Sequence, residues 1–326
     1  MVVMLATSLQ RRIHAALWAT AVGDALGNAA VGYWEERIAE QYGGPLSGFV
    51  TPVPASDQRS RWDYGEVTDD SITTQAVATS IAENGRVIRQ DIARQLIALG
   101  PKYTRGAISK PKAANDVNYV ATSGRGNGAC GRVAPIGMIH RSDDLEQLVD
   151  DVFSVSTITH GTRSAVGAAV VTATLISGSL DGLSFPRLLE RSFQALDLLD
   201  TYTLTEDECD LRDEIRTALR VGPQAFSRAA AKRGEWGFHA SECVPLVIAV
   251  VQGVADCRQA ILAAANLGGD ADSTAALVGS ITAARRPETL PDAWVREVDK
   301  HNRLSFTRLA PALSRLRECN EALATT

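Results

Sequence analysis

The sequence predicts an all-α fold, a compact multi-helix bundle of about ten or more helices forming a single domain over residues 1–326. Three observations carry this. Apolar residues recur at helical spacing, alternating strands are scarce, and no fixed-period repeat or low-complexity linker divides the chain. In chain order, one stripe runs through Leu9, Ile13, Ala16, Leu17 and Thr20 and a second through Leu145, Leu148, Val149, Val152 and Val155. Residues 164–178 come next, followed by a third stripe through Phe185, Leu188, Leu189, Phe193 and Leu196. Further helical runs are expected over 206–220, 244–252, 256–267 and 272–284. The two segments closest to strands are broken by proline: Phe49, Val50 and Val53 by Pro52 and Pro54, and Val133–Ile136 by Pro135. Two polar, glycine-containing stretches, 40–67 and 100–131, exceed the usual connection in a compact domain and are expected to be lids or site walls.

Of the 326 residues, 45% are hydrophobic and 22% charged, so a large core forms without help. Folding at this length removes roughly 75% of the unfolded chain's surface, and a bound metal would therefore serve chemistry. A net charge of -5 and a pI near 5.6 weigh against nucleic acid or an anionic membrane as partner, since both require a basic face. Cys130, Cys209, Cys243, Cys257 and Cys319 are odd in number and never spaced C-x-x-C, the usage of reduced thiols. The N-terminal segment lacks the basic-then-apolar order of a secretory signal, and no apolar run is expected to reach spanning length. A cytoplasmic location follows as the expectation.

Two segments concentrate carboxylates at helix starts. In Gly65-Glu66-Val67-Thr68-Asp69-Asp70-Ser71-Ile72, Thr68 or Asp69 serves as an N-cap and the acids suit the helix dipole, which is the structural reading. Asn266-Leu267-Gly268-Gly269-Asp270-Ala271-Asp272-Ser273 repeats the arrangement, with Gly268 and Gly269 allowing close backbone approach. If both starts face one site, four carboxylates and neighbouring hydroxyls converge. Such hard oxygen donors suit Mg²⁺ or Mn²⁺. A third segment, Gly124-Arg125-Gly126-Asn127-Gly128-Ala129-Cys130-Gly131-Arg132, reads either as plain turns or as an anion cradle of backbone N–H groups with Arg125 or Arg132 supplying charge. Lys102, Arg105, Lys110 and Lys112 form either a solvated loop or an outer substrate wall.

Taken in order, Gly23-Asp24-Ala25-Leu26-Gly27, Thr68-Asp69-Asp70-Ser71, Gly126-Asn127-Gly128-Ala129 with Arg132-Val133-Ala134-Pro135, Thr159-His160 and Gly268-Gly269-Asp270-Ala271-Asp272-Ser273 resemble the ordered motifs of the ADP-ribosylglycohydrolase family. That family includes dinitrogenase reductase-activating glycohydrolase and the ADP-ribosylarginine hydrolases. The resemblance implies an all-α fold around a metal-containing cleft. It implies two Mg²⁺ or Mn²⁺ ions held by Thr68, Asp69, Asp70, Asp270, Asp272 and Ser273, with Asn127, Gly128, Ala129 and His160 lining the ADP-ribose. His160 also reads as a helix C-terminal cap. Where many bacterial members carry a glutamate this chain has Val31, and Gly32-Tyr33-Trp34-Glu35 is similar to the Gly-x-Trp-Glu of the arginine-specific hydrolases.

The activity so implied is cleavage of an N-glycosidic ADP-ribosyl bond, foremost ADP-ribosyl-arginine on a protein. Its transition state is oxocarbenium-like, and the two metals would chelate ribose hydroxyls and lower the pKa of the attacking water. Asp69, Asp70 and Glu35 are the catalytic candidates, with Asp69 and Glu35 both eligible as base. The substrate expected is an ADP-ribosylated protein or small molecule. Two other readings stand beside this one: a glycohydrolase for a nucleotide-like metabolite or ADP-ribosylated nucleic acid, and a catalytically silent ADP-ribose-binding protein.

Overall fold

The computed structural model describes residues 8–53, 62–104, 108–207, 209–234 and 236–324. Among these, every regular element is a helix. The first third holds α1 (Ser8–Gly27), α2 (Glu35–Tyr42), α3 (Asp69–Asn84), α4 (Arg89–Ala98) and α5 (Ser109–Ala114). The middle holds α6 (Gly128–Arg132), α7 (Ala134–Ile139), α8 (Leu145–Ser156), α9 (Arg163–Leu180), α10 (Phe185–Leu199) and α11 (Leu211–Val221). The last third holds α12 (Pro223–Arg233), α13 (Ala240–Gly253), α14 (Cys257–Ala265), α15 (Ala271–Arg285), α16 (Asp292–His301) and α17 (Phe306–Ala324).

The expected stripes all lie on helices, with instructive shifts at their ends. The run expected from 206 starts at Leu211, because the Asp210 carboxylate accepts from the N–H groups of Arg212 (2.9 Å) and Asp213 (3.2 Å). Just upstream, Thr205 pairs with Gly161 and Arg163 through backbone hydrogen bonds and is held extended. Pro135, read as a strand breaker, sits in the first turn of α7, where its missing N–H costs nothing. The long 100–131 stretch is broken by α5 and α6.

α9 and α13 are buried nearly all round, and α1 and α15 over most of their length. Contrary to the expectation that no apolar run reaches spanning length, α9 is long and apolar enough to cross a membrane; 94% of it is buried inside the protein, as a core helix. α1 and α15 make backbone contact through small residues. A Cβ built on Gly23 would stand 2.2 Å from the Ala275 carbonyl oxygen, and one on Gly27 2.3 Å from that of Ala271. Arg12 ties the far ends of this core: Nε donates to Ala284 O (2.7 Å), Nη1 to Leu180 O (2.7 Å) and Nη2 to Ser179 O (2.6 Å). One guanidinium thereby satisfies terminal carbonyls of both α9 and α15.

Another arginine, this one buried, fastens α17. Arg317 donates to the carbonyls of Gly137 (3.1 Å) and His140 on the α7 side, and to Ser177 O (3.1 Å) and Asp181 Oδ1 (2.8 Å) on the α9 side. Burial opposes ionisation of Asp181, but Arg317 and the hydrogen bonds from Ser142 outweigh it and hold the carboxyl below its ordinary value. Its contribution to stability is therefore present above an unfolded value of about 3.9 and lost as pH falls through the lower folded value. Arg317→Met should cost about 3–5 kcal/mol, because it strands a buried carboxylate and several carbonyls. Urea melts at neutral pH check this, and a loss under 1 kcal/mol would remove the network from the stability argument.

Candidate active site

The site begins with a carboxylate whose role no local sequence signal reports. Asp24, fully buried on α1, accepts from Thr68 N (3.0 and 3.1 Å), Ser71 N (3.0 Å) and Ser71 Oγ (2.5 Å). It fills the N-terminal end of α3 as an anion, where orphan N–H groups and the dipole favour one. Thr68 is the N-cap of α3, its hydroxyl accepting from Asp70 N (3.4 Å). With that end fixed, Asp69 projects outward while Asp70 turns in, buried.

The second helix start meets the first across a cleft. Gly268 and Gly269 adopt φ of +72° and +69°, and a Cβ on either would stand 1.9 Å from Tyr33 O or 2.4 Å from Trp236 O, so only glycine fits both conformation and space. The turn they make delivers Asp270, Asp272 and Ser273 to the start of α15. Ser273 Oγ donates to Asp70 Oδ2 (2.7 Å), joining residues 203 positions apart. Asn127 Nδ2 donates to Asp270 Oδ2 (2.5 Å) and to Gly237 O (3.1 Å).

The glycine segment forms the cleft's third wall, but not as an open nest of amides. Asn127 N donates to Phe238 O (3.1 Å), Cys130 N to Asn127 O (2.7 Å) and Ala240 N to Arg125 O (2.9 Å), which zips the loop onto residues 238–240. Arg125 points to a different surface pocket beside Asp210, Asp213 and Glu214. Arg132, almost fully buried, lines the cleft and donates from Nη2 to Thr159 Oγ1 (2.7 Å) and His160 Nδ1 (3.2 Å).

The resulting cleft, ≈ 270 Å³, brings together Asp69, Asp70, Asn127, Gly128, His160, Asp270, Asp272 and Ser273 of the expected residues. Of the glycine segment it also takes in Gly126 and Arg132, and it adds Thr73, Ile108 and Phe238. Burial, then repulsion from Asp69, Asp24 and Asp270, pushes Asp70 well above the usual carboxylate range. Burial followed by Asp270, Asp70 and Asp24 does the same to Asp272. Burial raises Asp24 and Asp270 to about 6 against the hydrogen bonds each accepts. His160 goes the other way: burial, with Arg132 and Lys110 nearby, lowers it to about 3, a neutral imidazole at physiological pH.

Three expected residues are not brought to the cleft wall. Thr68 stands behind it, its hydroxyl occupied as a cap. Ala129 packs its methyl in the core. Glu35 opens α2 at the surface, where Arg228 Nη2 binds it at 3.1 Å and its neighbour Glu36 at 3.4 Å, in a separate pocket walled by Trp34 and Trp236. Of the 101–125 cations, Lys102 pairs with Glu66 (2.5 Å), Lys110 donates to Ser123 Oγ (2.8 Å), Lys112 donates to Leu99 O, and Arg105 lies outside the described residues.

The donor chemistry fits a hard divalent cation, since four carboxylates and a hydroxyl share a cleft in which burial, and then mutual repulsion, pushes Asp70 and Asp272 upward. Among the described residues no three acidic, histidine or cysteine side chains already stand in ligand geometry around one point.

An all-helical protein with an acidic cleft between two helix N-termini is the class that fold and site define. A model of the ADP-ribosylglycohydrolase family matches residues 5–322, and the chain belongs to that family. It is 27% identical over 332 residues to an uncharacterized protein, YegU, of Escherichia coli (strain K12), covering 96% of this chain and 99% of that one. It is likewise 27% identical over 297 residues to an uncharacterized protein of Archaeoglobus fulgidus, covering 88% and 91%. A solved structure named as an ADP-ribosylglycohydrolase-related protein complex superposes with a TM-score of 0.70 over 95% of this chain and 99% of that one, at 24% identity, a likeness of fold. Hydrolysis of glycosyl bonds, ADP-ribosylated substrates and a general dependence on metal are properties of the family.

Proposed function

We propose that this protein hydrolyses the N-glycosidic bond between ADP-ribose and an arginine side chain of a protein. The observation that supports it is the convergence of Asp69, Asp70, Asp270 and Asp272 from two helix starts onto one cleft that also presents Asn127, Gly128 and His160. A ribosyl bond breaks through an oxocarbenium-like state. The exposed Asp69 carboxylate at the cleft gives a cationic, guanidinium-linked substrate a charged partner that a neutral serine ether does not engage. Asp69, the exposed member of the four, accepts the proton of the attacking water. Glu35, held by Arg228 outside the cleft, takes no part as base. Asn127, Gly128 and His160 hold the ADP-ribose.

Asp69, Asp70, Asp270, Asp272 and Ser273, with Thr68 behind them, would hold two Mg²⁺ or Mn²⁺ ions. When bound, such cations neutralise the cluster and orient ribose hydroxyls. The separation of Glu35 from the cleft supports a second reading, in which the leaving group is that of a small nucleotide-like metabolite.

One experiment tests both. ADP-ribosyl-arginine protein, ADP-ribosyl-serine peptide and a ribonucleoside are incubated with Mg²⁺ or Mn²⁺, and again after exhaustive chelation, and product release is followed by chromatography. The arginine-linked substrate should be cleaved fastest, and chelation should lower both rate and melting temperature, because a ligand of the folded state alone stabilises it. Full activity after chelation removes the metal assignment; faster release from serine or the nucleoside removes the arginine one.

A further inference from the structure

Arg132 is the one strongly buried cation in the cleft wall, 1% exposed, and its Nε and Nη1 have no hydrogen-bond partner among the described residues. A guanidinium held so deep with two N–H groups unmatched is costly to place. What its geometry does satisfy is the pair Thr159 and His160. Nη2 reaches both Thr159 Oγ1 (2.7 Å) and His160 Nδ1 (3.2 Å), and the Thr159 hydroxyl lies 2.7 Å from the same Nδ1.

A guanidinium has donors only. An N–H on His160 Nδ1 would confront the Arg132 N–H, so Nδ1 must accept and the ring proton must reside on Nε2. That nitrogen faces the glycine segment: a Cβ on Gly126 would meet it at 3.4 Å. His160 lines the cleft, and its Nε2 has no protein hydrogen-bond partner among the described residues.

We propose that Arg132 is a positioning residue that locks His160 in the Nε2–H tautomer and so makes the ring a fixed hydrogen-bond donor to an oxygen of the ribosyl-phosphate part of the substrate. The identity of that oxygen's owner rests on the proposed function; the lock itself does not. Neutral histidine in solution exchanges between two tautomers, and a ring that binds an acceptor must first select one. Arg132 makes that selection in advance, which lowers the cost of ordering the contact.

The test is long-range ¹H–¹⁵N correlation spectroscopy of the imidazole nitrogens in protein free of substrate, with His160 assigned by His160→Gln. Wild type should show a neutral ring protonated at Nε2 at pH 7. Arg132→Met should give a mixed tautomer signature and bind ADP-ribose, measured by calorimetry, about tenfold more weakly, the worth of one well-placed hydrogen bond. Thr159→Val removes the hydroxyl but keeps the arginine contact, and should retain the Nε2–H signature. A ring protonated at Nδ1 in wild type, or doubly protonated at pH 7, overturns the proposal whether or not ADP-ribose binds. A lost tautomer in Arg132→Met with unchanged ADP-ribose affinity also overturns it, because the donor then faces no ligand. Absence of ADP-ribose binding in a wild type with the Nε2–H ring sinks the functional reading and, with it, the ligand assigned to the donor. Should Arg132→Met fail to fold, the wild-type and Thr159→Val spectra decide the lock.

Discussion

Asp70→Ala and Asp272→Ala should each lower kcat by roughly 10³–10⁴-fold, and the double variant should fall little further, because groups that act as one unit do not contribute additively. The two lie on α3 and α15, yet share one cleft; burial and then repulsion from Asp69, Asp24 and Asp270 raise Asp70, and burial and then repulsion from Asp270, Asp70 and Asp24 raise Asp272. Their effects on stability should run the other way. A buried carboxyl whose folded pKa stands above its unfolded value destabilises the fold at neutral pH, since the unfolded chain ionises more readily. Asp70→Asn, which keeps the shape and the Ser273 contact, should therefore melt no lower than wild type in chelator, and higher if the repulsion is large. Opposite signs of activity and stability are what a site assembled against its own electrostatics produces. Rates within tenfold of wild type for either single variant would remove that residue from the site.

The helices were legible because their apolar stripes are periodic, and the two acidic helix starts because a carboxylate after a glycine or a hydroxyl residue is locally conspicuous. Thr68 shows that capping and site-building are not rival readings: the residue caps α3 and thereby orients Asp70. Other features were hidden because they arise only on packing. Asp24 carries a signal in hindsight, an acid inside the apolar run of α1, but its partners lie 44 to 47 residues away. Arg132 was one of two equal candidates in a glycine-rich segment, and only the zipping of residues 125–127 onto 238–240 sends Arg125 outward while Arg132 stays in. The neighbours of Glu35 in sequence point to it as a site acid, but its partner in the fold is Arg228, 193 residues on. The start of α11 moved for a local reason, the Asp210 cap, that the apolar pattern does not report.

Gly27→Ala, a change of one methyl group, should cost at least about 3 kcal/mol and lower the melting temperature by roughly 5 °C or more. Gly23 and Gly27 are four apart and so lie on one face of α1, turned toward α15. The new Cβ would sit 2.3 Å from the Ala271 carbonyl oxygen and 2.7 Å from the Asp272 Cα, contacts with backbone that no rotamer change relieves. The two helices must separate by about an ångström, and a core packed to crystal density does not absorb that cheaply. Activity should fall with stability, because α1 carries Asp24, which holds the start of α3, and α15 carries Asp272 with Asp270 as its N-cap. Parting them widens the cleft from its floor. Gly253→Ala is the control: it is helical, a Cβ there meets nothing within 4 Å, and its effect should stay within about 0.5 kcal/mol. Differential scanning calorimetry of both variants beside wild type, with kcat measured well below each melting point, reads the result. A Gly27→Ala protein that melts within 1 °C of wild type would show that the α1–α15 contact yields, and the account of how the two acidic helix starts are held in register would fall with it.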